Sequence, residues 1–309
     1  MSNPIQKPYS EITYTLDDLR DWEFSGTSLA VVGYPVGHSL SPSMHNAALK
    51  EMAKKDLSFS KWAYFKFEIQ PDKLQEALSL FYEKGFYGLN LTVPHKVIAL
   101  NLVDYGDSLV HKMGAVNTLR RTDIGRFEGF NTDGYGLSTS WKNTFKNHLS
   151  DSPVLLLGAG GAARAAAIQI LSEDCSKLIL ANRSKNTLEA LSKHLKDNFP
   201  KQEIVSSPLV SLPTLKMPVH IIQATSLGLN PKDPPIIDFN QFHPHSKFFD
   251  MIYYPRRTAN MEAADKSGLQ TTNGLSMLLY QGIRALEIWT QKSAPIETMK
   301  SALLSRLND

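Results

Sequence analysis

Apolar residues along this chain come in short runs that alternate with stretches of helical spacing. The run Leu29–Gly33 predicts a strand, the polar segment Tyr34–Pro42 a loop, and about Ser43 to Lys54 a helix. Trp62–Glu68 predicts a second strand, Leu74–Glu83 a helix placed after Pro71, and Tyr87–Val93 a third strand stopped by Pro94. Alternation of this kind predicts a parallel sheet covered by helices. Ala115–Arg121 and Arg126–Phe130 predict a hairpin turning at Thr122–Gly125. A helix from Gly134 to about Leu149 then leads into a second alternating region. Its strands are Val154–Leu157, Leu178–Ala181, His220–Gln223 and Phe248–Met251. Near the end, Leu275, Leu278, Leu279, Ile283, Leu286 and Trp289 recur at helical spacing. The first 25 or so residues are polar, with Thr15 as N-cap of a short helix Leu16–Trp22, and read as an extension packed on the surface.

The chain has 309 residues, enough for two domains. Its formal net charge of +3 comes from interspersed charges, which argues against nucleic acid as a partner because that binding needs a concentrated basic stripe. The single cysteine, Cys175, excludes an intrachain disulfide and thiolate zinc sites. No run approaches the length needed to cross a bilayer, and the start lacks the form of a signal peptide, so the expected location is the cytoplasm without membrane attachment.

The strongest local signal is Val154-Leu-Leu-Leu-Gly158-Ala159-Gly160-Gly161-Ala162-Ala163-Arg164. A strand ends in a glycine turn that opens a helix through Ala165–Ile170. Gly158 permits the tight turn, Gly160 lets backbone approach a pyrophosphate, and Ala163 lets the helix pack closely on the sheet. The helix start then offers N–H groups and a positive dipole end to phosphates. The next strand ends in Asn182-Arg183-Ser184-Lys185. An NAD site usually has a carboxylate there for the ribose 2′-OH; two cations in its place favour the 2′-phosphate of NADP.

Polar clusters in the first half stand where strands end, the usual ligand position in such sheets. They are Gly37-His38-Ser39-Leu40-Ser41-Pro42, Asn90-Leu-Thr92-Val-Pro94-His95-Lys96, Gly114-Ala-Val-Asn117-Thr118 and Gly129-Phe-Asn131-Thr132-Asp133-Gly134. None has metal-site spacing, and no metal is expected. A carbonyl receiving hydride develops alkoxide charge, which a nearby ammonium stabilises and protonates, and a neighbouring carboxylate can orient that ammonium.

Together with Ala224-Thr-Ser226 and Asn273-Gly274 followed by Gln281, these segments resemble, in order and spacing, the motifs of the shikimate dehydrogenase family over about residues 28–293. The resemblance implies an α/β protein of two domains separated by a cleft. Residues 28–133 with 275–309 would form the substrate-binding domain and 134–274 a Rossmann-like NADP-binding domain, with 1–27 as an N-terminal extension. It implies reversible NADPH-dependent reduction of 3-dehydroshikimate to shikimate, a step of aromatic amino acid biosynthesis. Lys96 and Asp133 match the catalytic pair. Ser39 and Ser41 match the hydroxyls that bind the substrate carboxylate, and Tyr253 a tyrosine reaching the same group. Asn90, Thr92, Asn117 and Gln281 match residues around the ring hydroxyls. Gly158, Ala159, Gly160, Gly161, Ala162, Asn182, Arg183, Ser184, Lys185, Thr225, Met251 and Gly274 match the cofactor side.

The chain departs from the common pattern at His95, where many relatives carry phenylalanine, at Phe130, and at Thr187, where a second arginine is frequent. Lys185 replaces that arginine only as a point charge. Two rival readings remain at this level: a quinate or quinate/shikimate dehydrogenase using NAD or NADP, and a catalytically silent protein that binds the metabolite. Serine in both carboxylate positions leans toward shikimate, and the intact lysine, aspartate and glycine turn count against a silent binder. The expected assembly is a monomer or a homodimer.

Overall fold

Thr15 closes a capping box with Asp18, and this fixes the first helix, α1 (Leu16–Arg20), which ends before Trp22 so that the indole can turn into an aromatic cluster. In this computed structural model, residues 11–106 and 108–307 are described. Their contacts divide the chain into two units. One runs to Thr132 and resumes at Gln281; the other is Asp133–Tyr280. Residues 1–10 of the expected extension lie outside the described residues.

The first unit continues with β1 (Thr27–Gly33), α2 (Ser41–Ala53), β2 (Trp62–Glu68), α3 (Leu74–Glu83), β3 (Gly88–Leu91), α4 (His95–Ile98), β4 (Asp104–Tyr105), α5 (Ser108–Met113), β5 (Thr118–Arg121) and β6 (Phe127–Phe130). Its sheet order is β2-β1-β3-β5-β6-β4. The sheet is mixed rather than wholly parallel: β1 runs parallel to β2 and β3, whereas β5 is antiparallel to β3 and β6. The hairpin expected from sequence supplies the antiparallel pair. α2 starts at Ser41, two residues earlier than expected, because Pro42 sits in the first turn where its missing N–H costs nothing.

One face of this sheet buries Phe65, Phe67, Leu74, Phe81 and Phe86 with Leu19 of α1. Tyr14 pairs its backbone with Lys66 and Glu68 and so covers the free edge of β2, which ties the extension to the unit.

The second unit holds α6 (Asp133–Phe145), β7 (Val154–Leu157), α7 (Gly161–Ser172), β8 (Leu178–Asn182), α8 (Lys185–Asn198), β9 (Ile204–Pro208), β10 (His220–Gln223), β11 (Lys247–Asp250), α9 (Ala259–Lys266) and β12 (Gln270–Thr272). α10 (Leu275–Thr290) begins in this unit and ends in the first, to which α11 (Ile296–Ser305) also belongs. α6 is shorter than expected because Lys146 takes a left-handed φ of 59° and breaks the helix. The sheet order β12-β11-β10-β7-β8-β9 is parallel throughout. Counted within the unit from its first strand, this is the dinucleotide-binding order 3-2-1-4-5-6. The order reverses at β7, the strand that carries the glycine turn. All four β7 residues are buried, as a strand covered by helices on both faces requires. Among the described residues no helix is long and apolar enough to cross a membrane.

α10 is anchored to the first sheet by Trp289. Its indole N–H donates to the Leu119 carbonyl at 2.8 Å, and its ring lies on Gly88, where a Cβ would approach to 2.2 Å. Trp289→Ala should cost about 3–5 kcal/mol through the cavity and the orphaned carbonyl, as read by urea unfolding. A loss within experimental error would show that α10 is held elsewhere.

Candidate active site

Ser41 of α2, Tyr64 of β2, Asn90 of β3 and Thr118 of β5, with Asn117 and Thr132, form one continuous buried hydrogen-bond network in the first unit. Tyr64 on β2 is fully buried, and its hydroxyl donates to Asn90 Oδ1 at 2.7 Å. The Ser41 side chain hydrogen-bonds the same phenol. Asn90 Nδ2 donates to the Asn117 carbonyl at 3.2 Å and to Thr118 Oγ1 at 3.0 Å. Asn117 Nδ2 donates to Thr132 Oγ1 at 3.0 Å, while its Oδ1 accepts from the Thr132 N–H at 2.8 Å and the Thr118 hydroxyl at 3.2 Å. Ser41, Asn90 and Asn117 are thus brought together, joined through Tyr64, Thr118 and Thr132, which sequence reasoning did not single out.

α2 is clamped to β2 beside this network. The Asn46 amide takes both the N–H and the carbonyl of Tyr64, at 2.9 and 2.8 Å. The His45 ring stacks on Tyr64 with centroids 4.3 Å apart and planes 9° apart. Burial lowers the His45 pKa to about 3, so the ring is neutral.

Ser39 lies in the loop before α2, half-buried, and its hydroxyl accepts from the Ser41 N–H at 3.4 Å. Thr92 follows β3, with its N–H on the Val32 carbonyl at 2.9 Å and its methyl over Gly33, where a Cβ would meet it at 2.2 Å. Lys96 lies in the single-turn α4, half-buried, and its carbonyl accepts from Val116 N–H at 2.8 Å. His95 beside it is buried, with Nε2 2.9 Å from the Ile69 carbonyl. Phe130 packs its ring on Gly106 beneath the Arg120 guanidinium. Gln281 is buried on α10.

Asp133 is the first residue of α6 in the second unit. There Gly158 takes a φ of 121°, and a Cβ would press on the Ala224 carbonyl at 3.0 Å, so glycine is required by both conformation and space. Gly160 and Gly161 differ: a Cβ on either would meet nothing within 4 Å. Their lack of side chains leaves backbone open at the start of α7, where Gly160 is the N-cap without a side-chain cap bond. Ala159 is half-buried, Ala162 exposed and Ala163 buried against the sheet. A cavity of about 140 Å³ adjoins this turn, lined by Gly158, Asn182, Arg183, Thr225, Leu227 and Ile236 among others. Its polar rim, open glycine backbone and helix start fit a dinucleotide.

At the end of β8, the Asn182 amide donates to the Ser184 carbonyl and to Thr187 Oγ1, at 3.1 and 2.8 Å. Thr187 therefore closes the turn rather than offering a cation. Arg183 is exposed on the cavity, while the Lys185 ammonium stands 3.8 Å from Glu189 with its side chain 84% exposed.

Thr225, Met251, Tyr253 and Gly274 share a buried support that the sequence did not reveal. Gln223 bonds the Thr225 N–H and, at 2.8 Å, the Leu227 carbonyl; Asn260 reaches that carbonyl at 3.0 Å. Asp250 is fully buried and accepts from Ile252 N–H at 3.1 Å and the Thr258 hydroxyl at 2.6 Å. Gly274 passes so close to Met251 that a Cβ would fall 2.1 Å from its carbonyl oxygen. Tyr253 is half-buried, and desolvation raises its phenol pKa. Asp250 lies inside the strand expected from sequence, Phe248–Met251, and nothing local marks it out.

A glycine turn at the reversal of a doubly wound sheet in one unit and a buried amide network in the other define a dinucleotide-dependent enzyme of two α/β units. Residues 31–119 match the shikimate dehydrogenase substrate binding domain, 141–226 the shikimate/quinate 5-dehydrogenase model and 274–304 the shikimate 5′-dehydrogenase C-terminal domain. A shikimate dehydrogenase (NADP(+)) of Methanopyrus kandleri is 35% identical over 90% of this chain and 95% of its own. A crystal structure of a shikimate dehydrogenase in complex with NADP+ superposes with a TM-score of 0.84 at 33% identity, covering 92% of this chain and 96% of that one. The Thermus thermophilus enzyme in complex with NADP(H) and shikimate gives 0.78 at 30% identity, covering 90% and 99%. The chain belongs to the shikimate dehydrogenase family.

Asp250 carries a pH signature. Desolvation raises its pKa from 3.8 to about 6, against hydrogen bonds from Thr258, Ile252 and Asn260 that lower it. The folded state therefore binds this proton more tightly than the unfolded chain, and the group's contribution to stability is fully present below about pH 4 and lost as pH rises to about 6. Asp250→Asn should lack that segment of the stability–pH curve, as followed by urea unfolding across the range. Parallel curves for the two proteins would place the titration elsewhere.

Proposed function

We propose that the chain is an NADP-dependent shikimate dehydrogenase, which reduces 3-dehydroshikimate to shikimate reversibly in aromatic precursor synthesis. The unit of β1–β6 is read as the substrate-binding domain and that of β7–β12 as the dinucleotide-binding domain. The observation that carries the reading is the network through Ser41, Asn90 and Asn117. These residues match the family's substrate contacts, and one chain of hydrogen bonds holds them at fixed positions. A polyhydroxylated ring is recognised by amides and hydroxyls that are already oriented, since preorganised donors lose little on binding.

When bound, NADPH supplies a hydride to the ring carbonyl. In the protein's share of the reaction, the Lys96 ammonium stabilises the developing alkoxide and gives it a proton. Asp133 accepts from a ring hydroxyl, Thr92 and Gln281 hold further hydroxyls, and Ser39, Ser41 and Tyr253 take the carboxylate. Pyrophosphate would rest on the open backbone of Gly160 and Gly161 and the start of α7, bordered by Ala159 and Ala162. Asn182, Arg183 and Ser184 would hold the adenosine end, with Arg183 there to pair with the 2′-phosphate and Lys185 adding only a distant charge. Thr225, Met251 and Gly274 border the nicotinamide end. The protein is read as a cytoplasmic monomer or homodimer. Its single cysteine, Cys175, is buried, and desolvation pushes the thiol pKa up to about 11.

Two variants test these roles. Lys96→Ala should cut kcat by about 10² or more with little change in substrate affinity, measured by steady-state kinetics and calorimetric binding. Unchanged kcat would remove Lys96 from the chemistry. Arg183→Ala should weaken NADPH roughly tenfold or more and NADH far less, because only the first carries the 2′-phosphate. Equal losses for both cofactors would contradict the phosphate assignment.

A further inference from the structure

Strand β2 presents Tyr64, Lys66 and Glu68 on one face, alternating with Phe65 and Phe67, which enter the core on the other. Lys66 is buried and Glu68 half-buried, and a lysine so placed needs a reason, since charged side chains are rarely buried without a partner. Both reach the loop that carries Ser39. Lys66, only 4% exposed, donates from Nζ to the Gly37 carbonyl at 2.6 Å. Glu68 Oε2 accepts from the Val36 N–H at 3.0 Å, and the Val36 carbonyl in turn accepts from the Ser39 N–H at 3.0 Å. The loop before α2 is thus gripped from below by two opposite charges two residues apart.

A neutral carbonyl is a weak recompense for burying an ammonium. Burial lowers the Lys66 pKa, and the nearby Arg306 guanidinium lowers it further, while Glu11 and Glu68 raise it. Arg306 itself donates from Nε to Ser43 Oγ at 3.1 Å, in the first turn of α2, and pairs with Glu11 at 3.4 Å. The start of α2 has no side-chain cap bond at Leu40, so its dipole adds positive potential on the same side. An anion held by the Ser39 and Ser41 hydroxyls would meet this potential without touching a cation directly.

We propose that Lys66 is a positioning residue for the substrate carboxylate: it fixes the Ser39 loop through Gly37, and its buried charge makes the serine pair select an anionic substituent. This deepens the functional reading above and rests on it, because Ser39 and Ser41 take the carboxylate only in that reading. Glu68 does the opposite electrostatically while sharing the task of holding the loop.

The test compares Lys66→Met, Lys66→Arg and Glu68→Gln with the full-length wild type, using shikimate and its uncharged methyl ester with NADP. Lys66→Met should raise KM for the acid roughly tenfold, leave kcat within about threefold, and shift KM for the ester far less. Lys66→Arg should recover most of the affinity. Glu68→Gln keeps an acceptor for Val36 and removes a negative charge, so it should lower KM for the acid and leave the ester unchanged. It also serves if Lys66→Met fails to fold. Equal effects on acid and ester, or a Glu68→Gln change that weakens the acid, would overturn the proposal. A wild type inactive on the acid would overturn the functional reading and this inference together; an active wild type with an unchanged Lys66→Met would overturn Lys66 alone.

Discussion

A buried amide must find partners for its donors and lone pairs, or each orphaned atom costs about 1–3 kcal/mol. Asn117 meets this demand through Thr132 and Thr118, and Asn90 meets it through Tyr64, Thr118 and the Asn117 carbonyl. The constraint reaches beyond stability. Because each group has a named partner, none of these side chains can turn without leaving another unsatisfied, and this part of the first unit inherits that rigidity. Neutral His45 stacked on Tyr64, and the Asn46 clamp, hold the network from behind.

The second unit uses the same physics to shape loops. Gln223, Asn260 and Asp250 bind the backbone and hydroxyls of the two segments that carry Thr225, Met251 and Tyr253. At Gly160 and Gly161 the structure does the reverse and leaves backbone uncovered. The glycine at 158 is needed by the fold itself, whereas those at 160 and 161 are needed only if something else fills the space.

Much of this was legible in the residues. Runs such as Val154–Leu157 and Trp62–Glu68 were read correctly because burial on one or both faces leaves a direct trace in polarity. Short or weakly apolar elements left less trace: α4 is a single turn, β12 is a short exposed-edge strand, and α8 follows a turn closed by Asn182 and Thr187 rather than by a capping box. Motif residues such as Lys96 and Asn117 stood out through their clustering at strand ends. Tyr64, Lys66 and Asp250 did not, because each sits within a strand where the local pattern explains it as packing, and only tertiary partners give it a task. The substitution of Thr187 for a second cation was visible, but its use in closing the β8–α8 turn was not.

A rigid amide and hydroxyl site for shikimate, together with an NADP site in the same chain, requires selective turnover, and one assay reads it. Purified full-length protein is given shikimate or quinate, each with NADP or NAD, and nicotinamide absorbance is followed. Turnover should be fast with shikimate and NADP and slight with the other three pairs. Preference for quinate or NAD, or no turnover with any pair, would contradict this reading.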